Sequence, residues 1–169
     1  DDRSRPLLSK GYSKAAGEWE GPLRDLPAGG IYASANDMSR FLAMVSGQGS
    51  LGTERILKPE TLAEMFRAQN EGVALDFGFK IGLNWMLSLP SLEGAGTVAW
   101  HDGGTRNFIS NLIVLPEQRL GVVILTNSPA GGGLTHRISE KVLKLALQEG
   151  RGLELATRAA AVVPVRRAA

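Results

Sequence analysis

The stretch His101-Asp102-Gly103-Gly104-Thr105-Arg106-Asn107-Phe108-Ile109-Ser110, running on through Leu115-Pro116-Glu117-Gln118-Arg119 to Gly121-Val122-Val123-Ile124-Leu125-Thr126-Asn127, decides the fold. It predicts one strand over 97–101 that ends in His101, a second from Phe108 to Leu115 that stops at Pro116, and a third over 121–126. The joins are too short for crossover helices, so the strands are antiparallel. The third run is continuously apolar, which predicts burial on both faces. Just upstream, Phe79-Lys80-Ile81-Gly82-Leu83-Asn84-Trp85 alternates apolar with small or polar residues, the pattern of a half-buried strand.

Further out the period is helical. Ser34 stands three residues before Asp37 in a capping-box pattern. Met38, Phe41, Leu42 and Val45 then recur at helical spacing until Gly47. Pro59 is placed to open a second helix with Leu62, Met65 and Phe66 on one face. A last helix covers 134–149, with Ile138, Val142 and Leu145 expected inward and Glu140, Lys141, Lys144 and Gln148 outward. Residues 1–33 read as irregular, and the basic, Ala/Val-rich tail 151–169 as a frayed helix or flexible end. The domain is expected over 1–150, with no boundary inside it.

Composition narrows the chemistry. The 169 residues are 43% hydrophobic and 21% charged, the balance of a folded globular chain. With no cysteine, disulfides, thiolate metal sites and thiol nucleophiles are excluded. Two histidines, His101 and His136, are too few for a His-rich metal site. A formal charge of +2 is too weak a bias for a nucleic-acid partner. No apolar run is long enough to span a membrane, and Asp1-Asp2-Arg3 opens without the apolar core of a signal peptide.

Four places invite a chemical reading. Gly47-Gln48-Gly49-Ser50-Leu51-Gly52 spells G-x-G-x-x-G, but it follows a helix where a dinucleotide site needs a strand, so it reads as a turn. Ser34-Ala35-Asn36 has the S-x-N form found in some serine acyl enzymes, yet the N-cap role accounts for Ser34. His136 lies early in an amphipathic helix and reads as a surface or boundary residue. His101-Asp102-Gly103-Gly104 places a titratable side chain at a strand end before two glycines, which let backbone N–H groups approach a ligand closely. A plain turn with an incidental histidine would use the same residue types.

The ordered set of segments resembles the serine β-lactamase-like superfamily, in its branch of class C β-lactamases, esterases and D-amino-acid peptidases. The resemblance covers about residues 8–149. It is carried by the quoted stretch together with Pro27-Ala28-Gly29-Gly30-Ile31-Tyr32-Ala33-Ser34, Asp37-Met38-Ser39-Arg40-Phe41-Leu42, Ile56-Leu57-Lys58-Pro59-Glu60-Thr61 and Gly78–Trp85. It implies an α/β (α+β) fold of the β-lactamase/transpeptidase type, an antiparallel sheet flanked by helices, of which this chain is the C-terminal portion. His101-Asp102-Gly103 would then be the third motif, K-T-G or H-x-G. The implied roles are His101 and Gly104 in catalysis, Gly104 as one oxyanion donor, and Asp102, Gly103, Thr105 and Asn107 in substrate binding, with no metal or cofactor. Asn107 stands where the family usually has Gly; Asn tolerates a left-handed backbone, so the turn is expected to survive.

One family feature is missing. No serine here has Lys three residues on, so the nucleophile motif S-x-x-K is not in the chain. Neither tyrosine is taken as the second motif, Y-x-N or Y-x-S: Tyr12 is followed by Ser13-Lys14 and Tyr32 by Ala33-Ser34, in segments that the family places after that motif. The chain thus resembles the C-terminal half of a serine hydrolase acting on an ester, amide or β-lactam. The implied partners are a small-molecule or peptide substrate and the N-terminal half of the same protein or a second chain. The alternative is a non-catalytic fragment or binding module that keeps the cleft. The resemblance favours a periplasmic or secreted location, with the cytoplasm as the other option.

Overall fold

The computed structural model describes residues 5–12, 24–76 and 78–149; the tail 151–169 lies outside them. A short helix α1 (Leu26–Gly29) stands in the segment read as irregular. Helix α2 (Ala35–Ser46) and the two-residue strands β1 (Ser50–Leu51) and β2 (Glu54–Arg55) follow, then α3 (Pro59–Met65). After them come β3 (Ala99–Gly104), β4 (Ile109–Leu115), β5 (Leu120–Thr126) and α4 (Gly132–Glu149).

The start of α2 is chemical. Ser34 Oγ accepts the Asp37 N–H at 3.1 Å, and the Asp37 carboxylate accepts the Ser34 N–H at 3.2 Å, a reciprocal capping box. These hydrogen bonds from Ser34, its hydroxyl first, hold the Asp37 carboxyl below the ordinary aspartate value. The helix ends at Gly47, whose N–H returns to Ala43 O, and Gly47–Gly52 belongs to the tight β1–β2 hairpin. Pro59 opens α3 as its spacing predicts.

The sheet is antiparallel with strand order β3-β4-β5. Register runs from Ala99↔Val114 to Gly104↔Ile109 on one side of β4 and from Ile109↔Thr126 to Leu115↔Leu120 on the other. Side chains alternate between two cores. Ala99, Leu112 and Val114 pack with Leu42 and Val45 of α2, Leu62 of α3 and Trp85. Val98, Ile113 and Leu115 pack with Leu92 and with Leu143 of α4. Each such aliphatic side chain contributes about 1.5–3 kcal/mol on full burial, so the sheet is anchored between two helical layers.

Four expectations are corrected. Strand β3 does not end at His101 but runs on to Gly104, because Asp102, Gly103 and Gly104 keep pairing with β4. Residues 79–85 are not a strand. Ile81 and Met86 form an isolated bridge around a turn in which Asn84 has φ 63° and Gly82 N–H donates to Trp85 O. Gly82 is needed there, since a Cβ would sit 2.2 Å from Met65 O. β5 is not buried on both faces: it is the outer strand among the described residues, and Gly121 and Leu125 are exposed. In α4 the buried residues are Thr135, Ser139 and Leu143, while Ile138, Val142 and Leu145 face out. The small hydroxyl residues let the helix lie close to the sheet, a fit that hydropathy does not register.

Candidate active site

The end of β3 carries the candidate residues. Two-residue periodicity puts His101 and Gly103 on the α2 face with Ala99, and Asp102 and Gly104 on the α4 face with Trp100. His101 is exposed, and its Nδ1 lies 2.5 Å from the Asp102 carbonyl oxygen. That oxygen can only accept, so Nδ1 carries a proton, and in the neutral ring Nε2 is then the acceptor.

The main chain has a second periodicity. Trp100 exchanges both of its backbone hydrogen bonds with Met86, at 2.9 Å each, on the side of β3 away from β4. Thr105 N–H donates back across the turn to Phe108 O at 2.9 Å. In an antiparallel ladder these directions alternate, so the Asp102 and Gly104 backbone groups face the same outer edge as those of Trp100. Beyond Met86 no described strand pairs with that edge.

The remaining candidates separate. A Cβ on Gly103 would meet Ser110 Oγ at 2.3 Å, so glycine there lets β4 pack flush. Thr105 Oγ1 accepts the Phe108 N–H at 3.3 Å and shapes the turn. Asn107 is fully buried, with neither side-chain polar atom hydrogen-bonded, under a segment where a Cβ on Gly11 would come 2.3 Å from Asn107 Cβ. It is not among the described residues with positive φ, so the left-handed backbone expected at this position is not used.

Asp102 also leaves the His101 face. Its carboxylate accepts Asn111 Nδ2–H at 2.8 Å, and His136 Nε2 lies 2.8 Å from it. The His136 ring packs edge-on against Trp100, centroids 5.2 Å apart. Of the surface or boundary placement expected for His136, the structure shows the boundary one: the side chain is half-buried and is a partner of β3. Sequence reasoning also missed Asn111 and Asn127. Asn127 Nδ2 donates to Lys10 O at 2.9 Å and its carbonyl accepts Tyr12 N–H at 2.8 Å, fastening residues 10–12 beside the end of β5. Their signal was the register of the strands, which a linear reading of side-chain types does not carry.

Ser34 is used as a cap, although Tyr32-Ala33-Ser34 does spell Y-x-S; Tyr32 is exposed. Among the described residues no cluster of three or more His, Asp or Glu side chains could hold a metal ion, and no helix is long and apolar enough to cross a membrane.

A family model described as Beta-lactamase matches residues 1–147. The chain belongs to the Beta-lactamase family. Members of that family are generally serine hydrolases, and the mixed α/β architecture with its antiparallel sheet is theirs. The fold is similar to that of the octameric penicillin-binding protein homologue from Pyrococcus abyssi, with a TM-score of 0.54 and 22% identity. The likeness covers 69% of this chain and 24% of that one, so the chain spans a minor part of its structural neighbour's length. No curated protein sequence matched.

Proposed function

We propose that this chain supplies the third-motif part of a serine hydrolase that opens an ester, amide or β-lactam carbonyl through an acyl-enzyme. The observation that carries the reading is the outer edge of β3 beyond the Trp100–Met86 bridge, which no described strand pairs and toward which the Gly104 N–H faces, two residues beyond Asp102 and close to an exposed His101. When a serine oxygen attacks a carbonyl carbon, negative charge gathers on the carbonyl oxygen. The Gly104 N–H is one donor to that oxyanion, and the N–H of the nucleophilic serine is the other. One such donor is worth roughly 10²–10³ in rate. The serine and its lysine base belong to an S-x-x-K motif outside these residues.

His101 binds or polarises the substrate in the place of the family's lysine. With Nδ1 engaged by the Asp102 carbonyl, its Nε2 can accept a hydrogen bond from the substrate. A lysine would offer a permanent cation suited to a carboxylate, whereas a histidine need not be charged. This supports an ester or peptide substrate ahead of a β-lactam. A non-catalytic binding module is the second reading, favoured by the absence of S-x-x-K from the sequence.

One assay tests the division of labour. The 169-residue chain alone is expected to leave p-nitrophenyl esters and nitrocefin untouched, because without nucleophile and base the covalent route has no first step. Supplying the S-x-x-K part, in the intact protein or as a second chain, is expected to give turnover. Active-site-titratable hydrolysis by the chain alone would refute the proposal. Substrate binding without turnover in the complete assembly would favour the binding module.

A further inference from the structure

Three donor-bearing side chains meet where α4 packs on the sheet, on the face of β3 away from His101. His136 Nε2 lies 2.8 Å from each oxygen of the Asp102 carboxylate, and Asn111 Nδ2 lies 2.8 Å from its Oδ1. Nε2 and Nδ2 are themselves 3.4 Å apart. Ligand atoms about 2.0–2.2 Å from a small divalent ion, at octahedral or tetrahedral angles, stand roughly 2.8–3.6 Å from one another. All three edges of this triangle fall within that range.

The Asn111 side chain is an independent observation. It is fully buried, its amide is directed at the Asp102 carboxylate, and its Oδ1 has no hydrogen-bond partner. A buried polar atom left so costs about 1–3 kcal/mol. Turning the amide over breaks no bond on its inner side and brings Oδ1 to the carboxylate and the imidazole. An amide oxygen beside a carboxylate is repelled unless a cation lies between them. Among the described residues no Lys or Arg forms an ion pair with Asp102, so no fixed cation competes for its oxygens. The Asp102 and His136 side chains are 48% and 26% exposed, which leaves a solvent side for entry and for water ligands.

We propose that the Asp102 carboxylate, His136 Nε2 and the Asn111 amide oxygen form a site for a divalent cation of the zinc class. An imidazole nitrogen beside oxygen donors suits such first-row ions, whereas Mg²⁺ and Ca²⁺ take oxygen ligands. Nε2 binds through its lone pair, with the ring proton on Nδ1. The ion joins β3, β4 and α4, so it fastens the helix to the sheet. It takes no part in the acyl transfer proposed above, and the site does not rest on that reading.

The probe is Zn²⁺ added to the chelator-treated 169-residue chain. Titration calorimetry is expected to show one saturable site, and the melting temperature to rise with free Zn²⁺, as binding to the folded state requires. The ring resonances of His136 should shift with one equivalent while those of His101 stay. His136→Gln can still donate to the carboxylate and should fold. It and Asp102→Asn are expected to weaken binding by at least about tenfold, since even an outer partner of a ligand is worth that much. His101→Ala should bind as the unmodified chain does. Asn111→Asp sets a second carboxylate beside Asp102; it should melt lower without Zn²⁺ and gain more from the ion. Absence of a saturable site would overturn the proposal. So would full affinity in a folded His136→Gln or Asp102→Asn chain, or a shift of the His101 ring in place of His136. An Asn111→Asp chain that gains no more from Zn²⁺ than the unmodified one would overturn the three-ligand site.

Discussion

Removing the His101 imidazole from the complete hydrolase is expected to lower kcat/KM by about 10²-fold or more, with thermal stability unchanged, because the side chain is exposed and the described residues give it a single hydrogen bond, to its neighbour's carbonyl. Gly104→Val should match that loss by a different route. A Cβ there meets Ile109 Cδ1 at an ordinary 3.6 Å, but the added methyls crowd Ile109 and tilt the N–H away from the oxyanion. Gly104→Ala, which fits, separates the two effects: it should fold normally and lose less activity. Steady-state kinetics beside thermal melts read all three, and full activity in both His101→Ala and Gly104→Val would remove the strand end from the chemistry. At this scale the sequence shows residue types well and partners poorly. His101 and Gly104 stand out because a titratable residue before paired glycines is legible in one line. The Asp102–His136 contact joins residues 34 apart, and only the β3–β4 pairing and the placement of α4 bring them together.

Helix termini are written in local sequence, and they fold as written. Ser34→Ala removes the N-cap of α2 and is expected to cost about 1 kcal/mol in denaturant unfolding. The same box gives a pH dependence with a fixed sign. The folded Asp37 carboxyl titrates below its unfolded value of about 3.8, so its stabilisation is present above that value and fades as pH falls through the folded pKa. Acid unfolding of Asp37→Asn should show a shallower loss over that range; an identical slope would refute the role. Helix faces are less legible. Counting apolar residues in α4 selects Ile138, Val142 and Leu145, yet Leu143 is 1% exposed and Val142 45%. Leu143→Ala is therefore expected to cost about 2–5 kcal/mol, and Val142→Ala within about 0.5 kcal/mol. The reverse order in equilibrium unfolding would return the helix to the face that hydropathy chose. Strand 79–85 failed for a related reason: alternation survives a tight turn, and only the left-handed Asn84 marks the bend.

For the molecule as a whole, the antiparallel three-strand core was readable because its joins are two short turns, while what covers it was not. Leu134, Ile138, Val142 and Leu145 recur at helical spacing along one side of α4 and are exposed by 47%, 40%, 45% and 44%. Strand β5 has no described strand on its outer side, apart from the backbone bond from Tyr12 to Asn127 just past its end. A row of large aliphatic side chains beside an open strand edge is costly in water, and such edges template pairing with other chains. If, as proposed above, the S-x-x-K part of the hydrolase lies on another segment, these surfaces are where that segment is expected to pack; alone, the chain is expected to cover them with a second copy of itself. Sedimentation equilibrium should then show a weight-average mass that rises with concentration above the 18.0 kDa of one chain. Ile138→Lys combined with Val142→Glu places opposite charges one turn apart on the exposed face, which leaves the buried Leu143 side untouched and should return a monomer of unchanged melting temperature. A concentration-independent monomer for the unmodified chain, melting in one cooperative step, would mean that the apolar side of α4 is tolerated in solution and does not mark where the rest of the domain packs.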